Sequence, residues 1–432
     1  LQARAARAAP ISDMNPVLLK PETDTGAQII VQGARYGTMR AAEYGQHKAS
    51  LMPKVMESYA RLEARADLVI IEGAGSPAEV NLRQGDLANM GFAEEADVPV
   101  ILVGDIDRGG VIASLVGTHA VLEPSEKQRI KGFLINKFRG DTSLFADGMD
   151  IISARTGWQG LGILPWFGAA ARLPAEDILD LETKSSQSSN HDSYHVAVPV
   201  IRRIANFDDL DPLSQDPSFR VTLVKPGEPL PLDADLVLLP GSKSTIADLQ
   251  FLREQGWDQD LMTLRRHGRA VIGLCGGYQM LGKYIHDPDG IEGMAGRVDG
   301  LGLLDIETTL TEQKTLTHTT GIETRTGAAI SGYEIHLGQT TGADTAQPMV
   351  HHIEGRDGIN VDGAISPDGQ VAGCYMHGLF ASDRFRSAWL NRHGKASSQI
   401  IFDQQIDTTL DQLANHLAAH ADLDAIARIA GL

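Results

Sequence analysis

Ala270-Val271-Ile272-Gly273-Leu274-Cys275-Gly276-Gly277-Tyr278-Gln279-Met280-Leu281-Gly282 is the stretch on which the fold reading turns. A β-branched apolar run feeds a Gly-x-Cys-x-Gly turn, and a helix-forming segment follows. Strand, sharp turn and helix make the elbow that exposes a nucleophile at the edge of an α/β sheet, here with sulfur in place of a hydroxyl oxygen. The glycines permit a strained turn and close backbone approach. A helix N-terminus behind Cys275 favours the thiolate, and the N–H of Gly276 points where an oxyanion would develop. The blander reading is a buried cysteine between packing glycines. A lone Cys would favour it, but a Cys flanked by Gly after a strand does not.

Around the elbow the second half keeps one grammar. His195-Val196-Ala197-Val198-Pro199-Val200 and Ala234-Asp235-Leu236-Val237-Leu238-Leu239-Pro240-Gly241 read as further strands. Continuous apolar strands separated by helices predict a parallel sheet covered on both faces, with chemistry at the carboxyl ends. From about Arg297 to Gln370 the pattern turns Thr- and Gly-rich and reads as antiparallel. Leu239-Pro240-Gly241-Ser242-Lys243-Ser244-Thr245 is a second strand-to-turn element, able to supply the other half of an oxyanion hole through Gly241 or to cap a helix through Ser242 or Ser244. Gly373-Cys374-Tyr375-Met376-His377-Gly378 offers His377 as the base; Cys374 reads as a small core residue. The pair His351-His352 and the isolated His318 lack ligand spacing and read as surface histidines.

A Gly-x-Cys-Gly-Gly elbow with a later Tyr-x-His-Gly resembles class I glutamine amidotransferase domains. The resemblance implies a flavodoxin-like glutaminase domain, with Cys275 as nucleophile and His377 as general base, that releases ammonia from glutamine through a cysteinyl thioester. The common pattern is His-x-Glu, and here the third position is Leu379. That departure, with Leu239 to Thr245 and Gly332-Tyr333-Glu334-Ile335-His336, resembles the corrinoid subgroup. The carboxylate that orients His377 stays open between Glu334 and an Asp.

Ammonia needs an activated acceptor, and the first half supplies an α/β pattern for one. Asp67-Leu68-Val69-Ile70-Ile71-Glu72, Val98 to Gly104 and Ile130 to Asn136 read as strands, with helices over Tyr44 to Arg65 and Gly109 to Leu122 between them. Glu72 at a strand end, before Gly73-Ala74-Gly75, suits a metal-holding carboxylate. Asp105 and Asp107 occupy the equivalent end of the next strand, and Arg108 can clamp a phosphoryl or carboxylate oxygen. The blander reading has both Asp residues capping the following helix.

The wording of Met14 to Pro21, Glu72 to Leu82, Asp86 to Met90, Val103 to Val111, Asn136 to Gly140 and Ile204 to Leu213 resembles the cobyric acid synthase family, over about residues 1 to 395. The resemblance implies ATP- and glutamine-dependent amidation of the b, d, e and g carboxylates of adenosylcobyrinic acid a,c-diamide. It makes the first half a P-loop-type, dethiobiotin-synthetase-like domain in which Asn136 reads the nucleotide base and Glu72 holds Mg²⁺, with no prosthetic group. The other readings are an a,c-diamide-forming or lipid II-amidating synthetase, and a non-catalytic binder of corrinoid or glutamine.

No stretch fits the P-loop pattern Gly-x4-Gly-Lys-Ser/Thr, Gly241-Ser242-Lys243-Ser244 included. The chain opens Leu1-Gln2-Ala3-Arg4 without Met, inside a segment to Ala9 that reads as helix. The expectation is an N-terminal truncation that removed the first strand and the P-loop and leaves ATP binding weak or absent; the alternative is a natural gene product without them. Domains are expected at 1–184 (synthetase), 185–193 (a Ser-rich linker), 194–400 (amidotransferase) and 401–432, a helical tail packed on the second domain.

Composition narrows the partners. The 38 Lys and Arg against 56 Asp and Glu give a net charge of −18, so the basic footprint of a nucleic-acid or anionic-membrane binder is missing. Two Cys in 432 residues exclude a disulfide framework and point to a reducing cytoplasm. No apolar run approaches the roughly 18 residues that span a bilayer. A homo-oligomer is compatible with all of this.

Overall fold

The computed structural model describes residues 1–21, 26–174, 192–354 and 361–432. Two compact units result: Leu1–Ala170 with Thr408–Leu432, and Ala171–Asp407. The expected linker at 185–193 lies outside the described residues up to 191.

In the second unit a six-stranded sheet runs in the order Ala364–Ile365, Val371–Cys374, Ala270–Leu274, Leu236–Leu239, Tyr194–Pro199, Phe219–Val224. All neighbours are parallel except the first pair. All six residues of Tyr194–Pro199 are buried, as a strand covered on both faces demands. One face packs on Trp257, Leu261, Leu264 and Tyr278, the other on Phe380, Phe385 and Trp389. The order reverses between Tyr194–Pro199 and Leu236–Leu239. The turns after Leu239 and Leu274 therefore flank the crevice where such sheets bind ligands. The expected antiparallel region is a second sheet built on the long pair Glu307–Glu323 and Ala329–Thr341. Its edge includes Met376–His377, where Tyr333 pairs with His377 and Glu334 with Met376.

In the first unit Val100–Asp105, Ile130–Phe138 and Gln159–Pro165 form a parallel sheet. Phe133 and Ile135 of its central strand and Ile152 of the helix Ala146–Thr156 are fully buried. The helices Ala41–Glu63 and Val111–Val121 fall where periodicity put them. Three expectations are corrected. The run Asp67–Glu72 is not a strand: it pairs with nothing among the described residues, and Ile70 is 87% exposed. Strand-forming composition is insufficient without a ladder partner for the backbone N–H and C=O groups. The tail does not group with the second unit. Beyond Thr408 it belongs to the first, where His416 Nε2 contacts Pro165 O at 2.9 Å and Asp422 N donates to Leu161 O at 2.7 Å. The segment Gln2 to Ala9 is helical only over Gln2–Ala5.

Candidate functional site

Cys275 ends the central strand Ala270–Leu274 and begins the six-residue helix Gly276–Leu281. Its φ of 50° and ψ of −109° place a non-glycine residue in strained backbone. The glycines are required by packing. A Cβ on Gly277 would lie 2.3 Å from Leu239 O, and one on Gly276 would lie 2.9 Å from Ser242 N. The elbow is thus seated on the turn that follows Leu239, which brings Gly276 beside Gly241-Ser242. Gly241 also abuts the base, since a Cβ there would stand 3.0 Å from His377 Cε1. The structure therefore brings Cys275, Gly276, Gly241 and His377 together. The thiol donates to Ile335 O at 3.3 Å.

The carboxylate behind His377 is Asp209. Its Oδ2 lies 2.6 Å from His377 Nδ1, and its Oδ1 accepts from Gly378 N at 2.7 Å. His377 is fully buried and Asp209 nearly so. The other ring nitrogen, Nε2, is buried without a hydrogen-bond partner. Burial pulls the imidazole toward neutrality, but the charge and hydrogen bond of Asp209, joined by Cys275, push its pKa well above the usual histidine range. Tyr333 stacks on the ring at 5.4 Å and donates to Asp208 Oδ2 at 3.0 Å. Burial, then the charge of Asp209, pushes the Asp208 carboxyl up.

Sequence reasoning missed Asp209 because it lies 168 positions from His377, in the short turn Phe207–Asp209. The signal was present in Asn206-Phe207-Asp208-Asp209, read only as family wording at a domain junction. Glu334 is not the orienting group. Neighbours on a strand face opposite sides, so if Tyr333 meets His377, Glu334 points away. It meets His352 Nε2 at 3.1 Å and His336 Nε2 at 3.5 Å. His352 is therefore not a surface histidine: its side chain is 3% exposed. His351 is exposed. Cys374 is fully buried, and burial pushes its thiol up, as a core residue requires.

In the first unit Asp105, Asp107, Arg108 and Asn136 gather at the carboxyl ends of Val100–Asp105 and Ile130–Phe138. Asp105 pairs in register with Asn136, whose Oδ1 accepts from Lys137 N at 2.8 Å. Arg108 Nε lies 3.9 Å from Asp105 Oδ2. Two cations that sequence reasoning left out complete the group: Lys137 Nζ reaches Asp105 Oδ2 at 2.9 Å, and Arg139 Nε reaches Asp107 Oδ1 at 2.6 Å. Burial works against the Asp105 anion, yet Lys137 and the Asp107 N–H hold its pKa below the usual range; Arg139 does the same for Asp107. Neither Asp caps the next helix, whose N-cap is Gly110. Lys137 has a φ of 63°, a second strained non-glycine residue at a strand end. Glu72 stands apart. It is exposed in an irregular segment held by Asn89 Nδ2 on Ala74 O at 2.6 Å, and makes no ion pair among the described residues.

A family profile described as a CobB/CobQ-like glutamine amidotransferase domain matches residues 195–385, and one described as an AAA domain matches residues 30–171. A cobyric acid synthase of Methylobacterium nodulans is 56% identical over 430 residues, spanning 100% of this chain and 87% of that one. The cobyric acid synthase of Cereibacter sphaeroides strain ATCC 17023 is 55% identical over 430 residues, spanning 100% and 88%. The structure of PurLQS from Thermotoga maritima aligns at a TM-score of 0.34 with 16% identity, over 51% of this chain and 99% of that one. A likeness that weak carries no argument.

Proposed function

The chain belongs to the cobyric acid synthase family, and from that premise we propose that Cys275, His377 and Asp209 hydrolyse glutamine to feed ammonia into amidation of a corrinoid polycarboxylate. The family is one of ligases, and its amidotransferase and AAA domains imply glutamine and ATP as substrates. No helix among the described residues is long and apolar enough to cross a membrane.

The observation that carries the reading is the buried His377, held by Asp209 at Nδ1 and set beside the Cys275 elbow through Gly241. In this reading Cys275 Sγ attacks the side-chain carboxamide carbon of glutamine, and the thiol proton passes to His377 Nε2. The negative oxygen of the tetrahedral intermediate is met by the N–H of Gly276 and the turn at Gly241. His377 returns its proton to the departing nitrogen, which leaves as ammonia. Water then attacks the thioester, with His377 as base, to release glutamate. Asp209 stabilises the imidazolium and holds Nε2 toward the thiol.

The acceptor we propose is adenosylcobyrinic acid a,c-diamide, amidated at its b, d, e and g carboxylates. Phosphorylation by ATP would make each carboxylate electrophilic, and ammonia would displace phosphate. Arg108 is 89% exposed and suits a phosphate or carboxylate oxygen, with Lys137 and Arg139 beside it. The hard oxygens of Asp105 and Asp107 suit Mg²⁺. They would hold it; Glu72, exposed and unpaired, supports the assignment less well. Asn136 would face the nucleotide base.

The test compares Cys275→Ser with the unaltered chain, supplying glutamine or ammonium salt as nitrogen source. The reading expects glutamine-dependent amide formation to vanish in the variant while ammonium-dependent formation, where present, persists. Undiminished glutamine use by Cys275→Ser would overturn it.

A further inference from the structure

We propose that Glu334, His352 and Asp362 form a binding site for a divalent transition-metal cation, of the zinc type, within the antiparallel sheet of the second unit. The site is separate from the Cys275 elbow, and its argument does not depend on the glutaminase reading.

Three strands supply the three side chains: Ala329–Thr341, Val350–Glu354 and Val361–Asp362. One candidate ligand atom from each lies within 4.8 Å of the other two. Glu334 Oε1 and His352 Nε2 are already 3.1 Å apart. A tetrahedral ion with ligands at about 2.0–2.2 Å holds them roughly 3.3–3.6 Å from one another, so small side-chain adjustments close the set. An imidazole among carboxylates favours first-row transition metals over Mg²⁺ or Ca²⁺, which prefer all-oxygen shells.

A second observation points the same way. His336 has a side chain only 3% exposed, and neither ring nitrogen has a hydrogen-bond partner. Its Nε2 is aimed at Glu334 Oε2 from 3.5 Å. Buried imidazole nitrogens without partners are uncommon, and an outer imidazole bracing a ligating carboxylate is a usual feature of metal sites. The charge balance agrees, for the Glu334 and Asp362 carboxylates are buried side by side. A dication would satisfy both carboxylates at once. Access exists, because Glu334, His336 and Asp362 line a cleft of about 400 Å³. Asp362 Oδ2 also accepts from Tyr375 N and Met376 N at 2.8 and 3.1 Å. An ion here would thus brace the strand that ends in His377.

The experiment uses the full chain with Cys275 alkylated, so that the nucleophile cannot serve as a ligand. The protein is stripped with chelator and dialysed against Zn²⁺, and bound metal is counted. Co²⁺ replaces Zn²⁺ in a parallel sample, read by its visible absorption. The proposal expects about one Zn²⁺ per chain, a Co²⁺ spectrum of low-symmetry four- or five-coordination, and metal-dependent protection against thermal unfolding. His352→Ala should abolish binding, and His336→Ala should weaken it about 10–100-fold. His351→Ala, altering the exposed neighbour, should leave it intact. Two results would overturn the proposal: a folded, alkylated chain that takes up no Zn²⁺, or uptake unaffected by His352→Ala. Because the count on the unaltered site decides alone, a variant that fails to fold does not rescue the idea.

Discussion

Replacing Asp209 with Asn removes one charge and almost no volume from the base of the site. In the native chain Asp209 makes two short bonds, to His377 Nδ1 at 2.6 Å and from Gly378 N at 2.7 Å. Hydrogen bonds to charged groups contribute about 1.5–3 kcal/mol each, against about 1 for neutral pairs. Breaking a buried ion pair outright costs about 3–5 kcal/mol. Asn keeps an acceptor for one of the two bonds, so a loss of about 2–3 kcal/mol in stability is expected. The sign with pH follows from the raised pKa of His377. The interaction stabilises the fold fully below the unfolded histidine pKa of about 6.5 and fades as pH climbs through the higher folded value. The stability gap between Asp209→Asn and the native chain should therefore be widest near about pH 6 and narrow in alkali. A correctly held base accounts for about 10²–10⁴ in rate. Glutamate release should fall about 10²–10³-fold, or roughly 2.7–4 kcal/mol in barrier, mainly through kcat. Steady-state glutaminase assays and denaturant unfolding at the two pH values make the measurement. A kcat within about threefold of native, with a stability gap that ignores pH, would refute the role given to Asp209.

Other outcomes follow from the same geometry. Cys275→Gly and Cys275→Ala should both lack glutaminase activity, but the Gly variant should be more stable by about 1–2 kcal/mol, because only glycine relaxes at a φ of 50°; denaturant midpoints compare them. Gly277→Ala, whose new methyl would meet Leu239 O at 2.3 Å, should lose about 3 kcal/mol or more or fail to fold, read by the same unfolding curves. Arg139→Ala removes the partner of Asp107 and the cation 3.7 Å over the Trp166 ring. It should depress ATP-dependent amidation while leaving glutamine hydrolysis unchanged, as parallel assays of the two reactions would show.

Legibility in the sequence followed the physics. The elbow was readable because strand, turn and helix are contiguous and the glycines are demanded by backbone contacts as close as 2.3 Å. His377 reads as the base from its type and its place at the end of an apolar strand before Gly378, and the structure sets it beside Gly241. Asp209 was not, because a carboxylate that acts through a hydrogen bond 168 residues away leaves no periodic trace. Glu334 looked like a partner for His377 from its place in Tyr333-Glu334-Ile335-His336, and strand alternation turned it to the other face. His352 looked superficial together with His351 because the pair lacks ligand spacing, and only strand alternation along Val350–Glu354 separates the two. The Asp105 and Asp107 pair was legible, while Lys137 and Arg139 were hidden at a strand end, one and three positions past Asn136. The run at Asp67–Glu72 carried a strand's composition, but composition cannot reveal whether a ladder partner exists.

The most direct test of the account is to catch the covalent intermediate. The full chain is mixed with glutamine, quenched in acid during turnover, digested and weighed peptide by peptide. The account predicts a γ-glutamyl adduct on the peptide that contains Cys275, absent from Cys275→Ser and more persistent in Asp209→Asn. Glutamate released at the native rate by Cys275→Ser, with no adduct at Cys275 in the native chain, would contradict it.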